Sequence, residues 1–331
     1  MTRKRRQQTV PPDSEETTES SSAESSQAIT RNHGRTQTYT PAGRVRPDMN
    51  DPAIIAHRGF AGVAPENTLG AMEAAAALEE TGMLELDVQP AADGTPVVFH
   101  DDRLEGRRDG RPMTDETGLI WETPLESIQS AQVLGTDQTV PTLEAVLAAV
   151  PASVGVNVEL KNPGTSTLFP GQSIDDETLT QQRSKWDPFV ERVLEDCDEF
   201  DGEVLFSSFC EAAIASLHRK APHYAVGTLV WDDLEAGLEI ARRYDCAAIH
   251  PPRNAILGVD MVTTAYAGLD GSEPAIDILE IAHEEGRTVN VWTVETWCQF
   301  EALRAAGVDG IIAEYPGLGS WASSSYSRVR P

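Results

Sequence analysis

The sequence predicts an α/β protein, a TIM (β/α)8 barrel with an extra β-hairpin after the second strand. Three observations predict it. Eight short apolar runs recur from residue 52 onward: AIIAH, MLELDV, VGVNVEL, EVLFSS, AVGTLV, CAAIHP, TVNVWTV and DGIIAE. Most are separated by stretches whose apolar residues recur at helical spacing. Together they occupy about 270 residues, the length of one closed barrel. An open doubly wound sheet would alternate in the same way, but no GxGxxG opens any of the helical stretches.

The elements follow in order. The first run begins with Ile54 and Ile55 and stops at His57-Arg58. TLGAMEAAAALEETG is helical, and the second run then carries Glu85 and Asp87, whose i, i+2 spacing points both carboxylates to one side of a strand. A further apolar run, TPVVFH, follows LDVQPAADG with only Asp93-Gly94 between them. That is a hairpin signal, so TPVVFH is an antiparallel return ending in His100-Asp101 and not a barrel strand. PTLEAVLAAV is the next helix, and the third run ends in Glu159-Leu160-Lys161, again at i, i+2. Residues 162–186 are a loop, either a lid or a salt-adapted insertion. The remaining helices are DPFVERVLEDCDEF, CEAAIASLHRKA, LEAGLEIARRY, AIDILEIAHEEG and WCQFEALRAAG, several of them closed by the glycine that commonly ends a helix. Trp231 follows the fifth run, His250-Pro251 ends the sixth, and Trp292 lies within the seventh.

Residues 51–321 form the barrel. Residues 1–50, with EETTESSSAESSQ, are too poor in large apolar side chains to offset their ordering entropy and are expected to be a disordered polar tail. Residues 322–331 are expected to be a short polar C-terminal tail. No internal repeat appears at solenoid periods. The basic start MTRKRRQQTV lacks the apolar segment of a secretory signal, and no apolar run reaches the ~18 residues of a membrane helix. Cys197, Cys210, Cys246 and Cys298 are widely spaced with no CxxC pair, and read as reduced packing residues of a cytoplasmic protein. The chain has 53 Asp and Glu against 26 Lys and Arg, a formal charge of −27, which excludes nucleic acid as a partner. Lysine is scarce, which together with the acidity suggests a halophilic host whose salt screens the repulsion of an anionic substrate.

In a barrel of this kind the chemistry gathers at the C-terminal strand ends. Inward acids at neighbouring strand ends are costly without partners. A divalent cation is the simplest partner for Glu85, Asp87 and Glu159, and an all-carboxylate set favours a hard metal, Mg²⁺ or Ca²⁺, over zinc. Singly, each motif has an ordinary reading as a capped turn, a solvent-facing strand or a strand-end ion pair. Their order at successive strand ends favours the joint reading.

AHRGFAGVAPENT, LELDVQPAADGTPVVFHD and NVELK resemble the motifs of the glycerophosphodiester phosphodiesterase family, and PTLEAVL, SSF and VNVWTV support the likeness in the same order over residues 52–317. The resemblance implies that His57 and His100 are the catalytic pair, one a general base and one a general acid. It implies metal ligation by Glu85, Asp87 and Glu159, with Glu66 a further metal candidate. Arg58 and Lys161 would bind phosphate, and Trp292 would contact substrate. A metal with Arg58 and Lys161 can stabilise the growing phosphoryl charge, and histidine can move both protons near neutral pH. Attack by water and attack by the neighbouring glycerol hydroxyl, through a cyclic phosphate, both remain open.

The sequence departs from the family pattern at Ala313-Glu314-Tyr315-Pro316, at DRLEGRRDGRPM and at SAQVLGTDQTV. None falls on a metal or histidine position, so the expectation is an altered rim around an intact centre. The leading activity is hydrolysis of small glycerophosphodiesters to glycerol phosphate and an alcohol, with no stable membrane insertion. A phospholipase-type lyase on intact lipid would want an apolar or basic rim. A barrel that binds metal and phosphate without turnover would not need both histidines.

Overall fold

The computed structural model describes residues 51–319 of the 331-residue chain. Both expected polar tails lie outside the described residues. In chain order the strands are β1 Ala53–His57, β2 Thr81–Pro90, β3 Pro96–Val98, β4 Arg107–Arg108, β5 Arg111–Pro112, β6 Gly155–Leu160, β7 Val204–Ser208, β8 Ala225–Leu229, β9 Ala248–His250, β10 Thr288–Val294 and β11 Gly310–Ala313. The helices are α1 Leu69–Ala76, α2 Leu125–Ser130, α3 Leu143–Ala149, α4 Asp176–Cys197, α5 Glu211–Lys220, α6 Leu234–Arg243, α7 Ile278–Glu284 and α8 Trp297–Ala306. Strands β1, β2 and β6 to β11 pair in parallel in the order β1-β11-β10-β9-β8-β7-β6-β2, and β1 pairs with β2 to close the ring. This is the predicted eight-stranded barrel.

Alternation along the strands explains both its stability and its chemistry. One set of strand residues packs outward against the helices in a continuous apolar layer that includes Leu84, Leu86, Val156, Val158, Phe206 and Ile311. The other set points into the barrel, where Ile55, Met83, Leu205, Ala225, Ala248 and Ile312 form a separate plug. Two residues beyond each plug residue the same face is met again. Ile55 therefore leads to His57, Met83 to Glu85 and then Asp87, and Ile312 to Glu314. Polar groups crowd the C-terminal mouth because the plug has filled the space beneath them.

The entries into the helices are made by side-chain caps. Thr68, Thr142, Asp175, Asp233, Asp277 and Thr296 each accept a backbone N–H from the first turn of the following helix, which satisfies donors that the helix itself cannot.

The predicted hairpin is present: β3 runs antiparallel to β2, pairing Val88 with Val98, around a turn in which Gly94 has φ +84°. It opens a larger excursion than expected. Between β3 and α3 the chain makes a second small hairpin, β4–β5, and helix α2, around its own core of Phe99, Leu104, Met113, Ile120, Ile128 and Val140. The expected loop over 162–186 is shorter than predicted. Helix α4 starts at Asp176 behind the Asp175 cap, so 176–186 is helical, and Pro188 lies inside the helix instead of at its start. Pro favours a first-turn position, which is why the sequence reads as a helix beginning there. Cys197, Cys210 and Cys246 are buried as expected, whereas Cys298 is exposed. Among the described residues no helix is long and apolar enough to cross a membrane.

Candidate active site

Glu85, Asp87 and Glu159 each present a carboxylate oxygen such that the three lie within 4.8 Å of one another. Strand β2 supplies the first two and β6 the third. The pairing of Asp87 with Glu159 across these strands sets them side by side. Two basic side chains and an amide close around them. Arg58 has φ +51°, followed by Gly59 at φ +77°, a tight turn that a side chain at 59 would block, since its Cβ would fall 2.9 Å from the backbone of Ala71. The turn aims both ends of Arg58 inward. Its backbone N–H donates to Glu85 Oε2 at 3.0 Å, its Nε lies 3.0 Å from Asp87 Oδ2, and its Nη1 donates to Glu66 Oε1 at 2.9 Å. Lys161 Nζ sits 2.7 Å from Glu159 Oε1 and 3.6 Å from Asp87 Oδ1. Asn67 Nδ2 donates to Asp87 Oδ2 at 2.8 Å.

The charges are unevenly compensated. Burial would raise the Asp87 carboxyl, but Arg58, His100, Lys161 and the Asn67 hydrogen bond hold it below the usual range. Glu85 goes the other way: burial, then Asp87 and Glu159, push it well up against the pull of Arg58. Burial also raises Glu159, with Asp87 adding to the effect and Lys161 opposing it. Glu85 Oε1 and Asp87 Oδ1 are buried without a hydrogen-bond partner, and Glu159 Oε1 meets the Lys161 ammonium. Three converging carboxylates, two of them with an unsatisfied oxygen, are the donor set a hard divalent cation takes, so the residues fit such a metal.

The histidines flank this centre. His57 Nδ1 lies 2.6 Å from Glu314 Oε2, and its Nε2 lies 4.0 Å from Glu85 Oε2. His100 Nδ1 lies 2.6 Å from Asp101 Oδ1. The His100 backbone is pinned by Gln89, whose Nε2 donates to the carbonyls of Phe99, His100 and Asp101 at 3.0, 3.0 and 2.9 Å. Burial, then Lys161 and Arg58, push His100 down to about 4.

A cavity of about 310 Å³ opens beside the centre, lined by the polar His100, Glu159 and Lys161 and by the apolar Leu168, Pro170 and Phe209. Trp292 stands behind Phe209 in an aromatic group with Trp231 and Tyr266, and its indole N–H donates to the His250 carbonyl at 2.8 Å. Of the nine residues singled out in the sequence, Glu66 stands apart from the metal trio. It is 3% exposed, with one oxygen on Arg58 and the other on Arg108, so both are already neutralised. Sequence reasoning missed Asn67, Gln89, Arg108 and Glu314. The departure at Glu314 is not confined to the rim, because that side chain bonds to His57. Its signal was available: Glu314 follows the inward Ile312 by two residues.

Fold and site together define a TIM-barrel enzyme with an acidic trio between cationic side chains at the C-terminal mouth. A sequence model of the "Glycerophosphoryl diester phosphodiesterase family" matches residues 57–318, and the chain belongs to that family. It is 27% identical over 273 residues to a glycerophosphodiester phosphodiesterase of Bacillus altitudinis, covering 80% of this chain and 94% of the relative. It is also 35% identical to human glycerophosphodiester phosphodiesterase 1 over a shorter span of 104 residues, 29% of each protein. Among solved structures, an Oleispira antarctica phosphodiesterase in complex with its product sn-glycerol-3-phosphate has 26% identity and a TM-score of 0.63, covering 82% of this chain and 97% of the other. A Silicibacter pomeroyi protein at 22% identity, with a TM-score of 0.62, shares the fold. The chain is thus a phosphoric diester hydrolase of the glycerophosphodiester type.

Proposed function

We propose that this protein hydrolyses small, water-soluble glycerophosphodiesters in a divalent-metal-dependent reaction, with His57 and His100 transferring the protons. The observation that carries the reading is the convergence of the buried Glu85, Asp87 and Glu159 carboxylates, two of them with an unsatisfied oxygen, between two histidines whose Nδ1 atoms are each held by a carboxylate. The relatives named for this activity and the product-bound Oleispira enzyme support the same substrate class.

When bound by the trio, Mg²⁺ or Ca²⁺ would supply Lewis-acid stabilisation of the phosphoryl charge. The chain's own residues do the rest. Arg58 and Lys161 bring fixed positive charge to the same place, and their pairing with Asp87 keeps them oriented there. With Nδ1 engaged, His57 and His100 each keep Nε2 for the reaction. One takes the proton of the attacking hydroxyl, whether of water or of the glycerol itself, and the other protonates the leaving alcohol. The cavity beside His100, with its Phe209 and Leu168 wall, gives that alcohol a place to sit. The experiment is an assay of the purified chain in high KCl against glycerophosphocholine, glycerophosphoglycerol and intact phospholipid, with and without divalent metal. Release of glycerol phosphate from the first two, abolished by EDTA and restored by Mg²⁺ or Ca²⁺, is the expected result. Full activity after exhaustive chelation, or turnover of intact lipid alone, would overturn it.

A further inference from the structure

We propose that Glu314 is a positioning residue for the reaction, fixing the tautomer and the aim of His57. The inference rests on His57 taking part in proton transfer. Strands β1 and β11 are neighbours in the barrel, and Ala56 pairs with Ala313, so His57 and Glu314 are the next residues along each strand. Both follow an inward isoleucine, Ile55 or Ile312, by two positions, which turns both side chains into the mouth.

The Glu314 backbone is clamped on both sides. Its N–H donates to the Val294 carbonyl at 2.9 Å, and its own carbonyl accepts from Gly62 N–H at 3.0 Å. A side chain leaving so fixed a backbone has little freedom, and its Oε2 stands 2.6 Å from His57 Nδ1.

The chemistry of this contact determines where the proton is. The 2.6 Å separation leaves room for one hydrogen between Oε2 and Nδ1, and the hydrogen bond and positive neighbours that hold the Glu314 carboxyl below the usual range against burial favour that hydrogen on the ring. A carboxylate can only accept, so His57 Nδ1 must carry hydrogen. With hydrogen on Nδ1, the nitrogen left to act as a base is Nε2, which stands 4.0 Å from Glu85 Oε2. Without Glu314 the ring could adopt the other tautomer or turn its Nδ1 to the mouth, and neither presents a base where the substrate lies. His100 has an equivalent partner in Asp101, but that partner is its own chain neighbour. The His57 partner comes from the last strand of the barrel, so ring closure itself completes the catalytic group.

A role limited to barrel closure would predict a different pattern of effects, and the test separates the two. Glu314→Gln keeps the shape and the backbone contacts, but its amide can donate as well as accept and so no longer dictates the tautomer. We expect kcat to fall about 10²-fold, with KM, divalent-metal affinity and Tm close to wild type. Glu314→Asp keeps the charge but shortens the reach, so its kcat should lie between those of wild type and Glu314→Gln. In a His57→Ala background, Glu314→Gln should cost nothing more, because Glu314 acts only through His57. A Glu314→Gln enzyme within twofold of wild-type kcat would overturn the proposal, as would a loss matched by a fall in Tm or metal affinity. A further loss in the His57→Ala background would also overturn it, by showing independent action. If His57→Ala itself turns over normally, the proton-transfer reading fails and this inference falls with it. An inactive His57→Ala beside a normal Glu314→Gln would sink this inference alone.

Discussion

At the scale of single residues, Glu159 carries opposing demands. It is buried beside Asp87, yet Lys161 at 2.7 Å is its one strong compensation. Removing its charge relieves repulsion within the trio while deleting a ligand. Glu159→Gln should therefore lower divalent-metal affinity by tenfold or more, measured by calorimetric titration, while the metal-free Tm stays level or rises. A fall in the metal-free Tm would mean that Glu159 holds the barrel and not the metal. For the histidines, alanine at either His57 or His100 should reduce kcat by about 10²-fold or more with metal affinity kept. The double variant should lose less than the product of the single losses, since groups acting in one step are not additive. Steady-state kinetics on the three proteins decides this. Residues of this kind were legible in the sequence wherever strand alternation alone placed them, as with Glu85, Asp87, Glu159 and Lys161. Gln89 was not legible, because its role is to bind three carbonyls of a segment it meets only through the fold. Glu66 was half legible: it was expected near the centre as a further metal candidate, but its neutralisation by Arg108 depends on where a short hairpin folds back.

At the scale of elements, the departures from expectation all lie where the period of the pattern breaks. The eight barrel strands read clearly because each alternates between plug and helix layer. Helix α4 did not, because Pro188 reads as a start signal. Behind it the Asp175 side chain accepts from Glu177 N–H and Thr178 N–H, a cap strong enough to begin the helix earlier. Pro188 is exposed in the helix interior, where it removes a hydrogen-bond donor without burying its ring. Pro188→Ala should then stabilise the protein by about 1–3 kcal/mol, less what the unfolded chain gains in freedom, and raise Tm at unchanged activity. An unchanged or lower Tm would show that the helix already accommodates the proline at no cost. The β4–β5 hairpin tells the same story from the other direction. Its two-residue strands are too short to predict, yet through Arg108 it reaches the buried Glu66 and so touches the Arg58 network. Arg108→Ala leaves one Glu66 oxygen unpaired. The expected results are faster proteolysis near residues 107–112 and a raised KM, with kcat less affected.

At the scale of the whole molecule, charge sets the conditions under which the barrel holds. With a formal charge of −27, self-repulsion should make Tm climb with KCl, and a salt-indifferent Tm would refute adaptation to high salt while leaving the active site untouched. Acid should also destabilise the fold, and part of that effect is traceable to one group. His250 ends β9 inside the barrel, fully buried, and burial pushes it down to about 3 from the ordinary 6.5. Its Nε2 lies 3.0 Å from Asn290 Nδ2 and close against Gly227, where an added Cβ would fall 2.7 Å away, so there is little room for the ring to shift toward water. The folded protein thus keeps this ring neutral while the unfolded chain binds a proton below 6.5. The stability associated with neutral His250 is complete above that pH and is lost progressively as the pH falls toward the folded value, at about 1.4 kcal/mol per unit. By pH 5 the loss is of order 2 kcal/mol. Carboxylates also titrate in this range, so the difference between wild type and His250→Gln is what isolates the effect. Glutamine keeps an acceptor for Asn290 and cannot titrate. Denaturant melts from pH 7 to 4.5 should give a shallower decline for His250→Gln, and identical slopes would mean that His250 is protonated in the folded barrel as readily as in the unfolded chain.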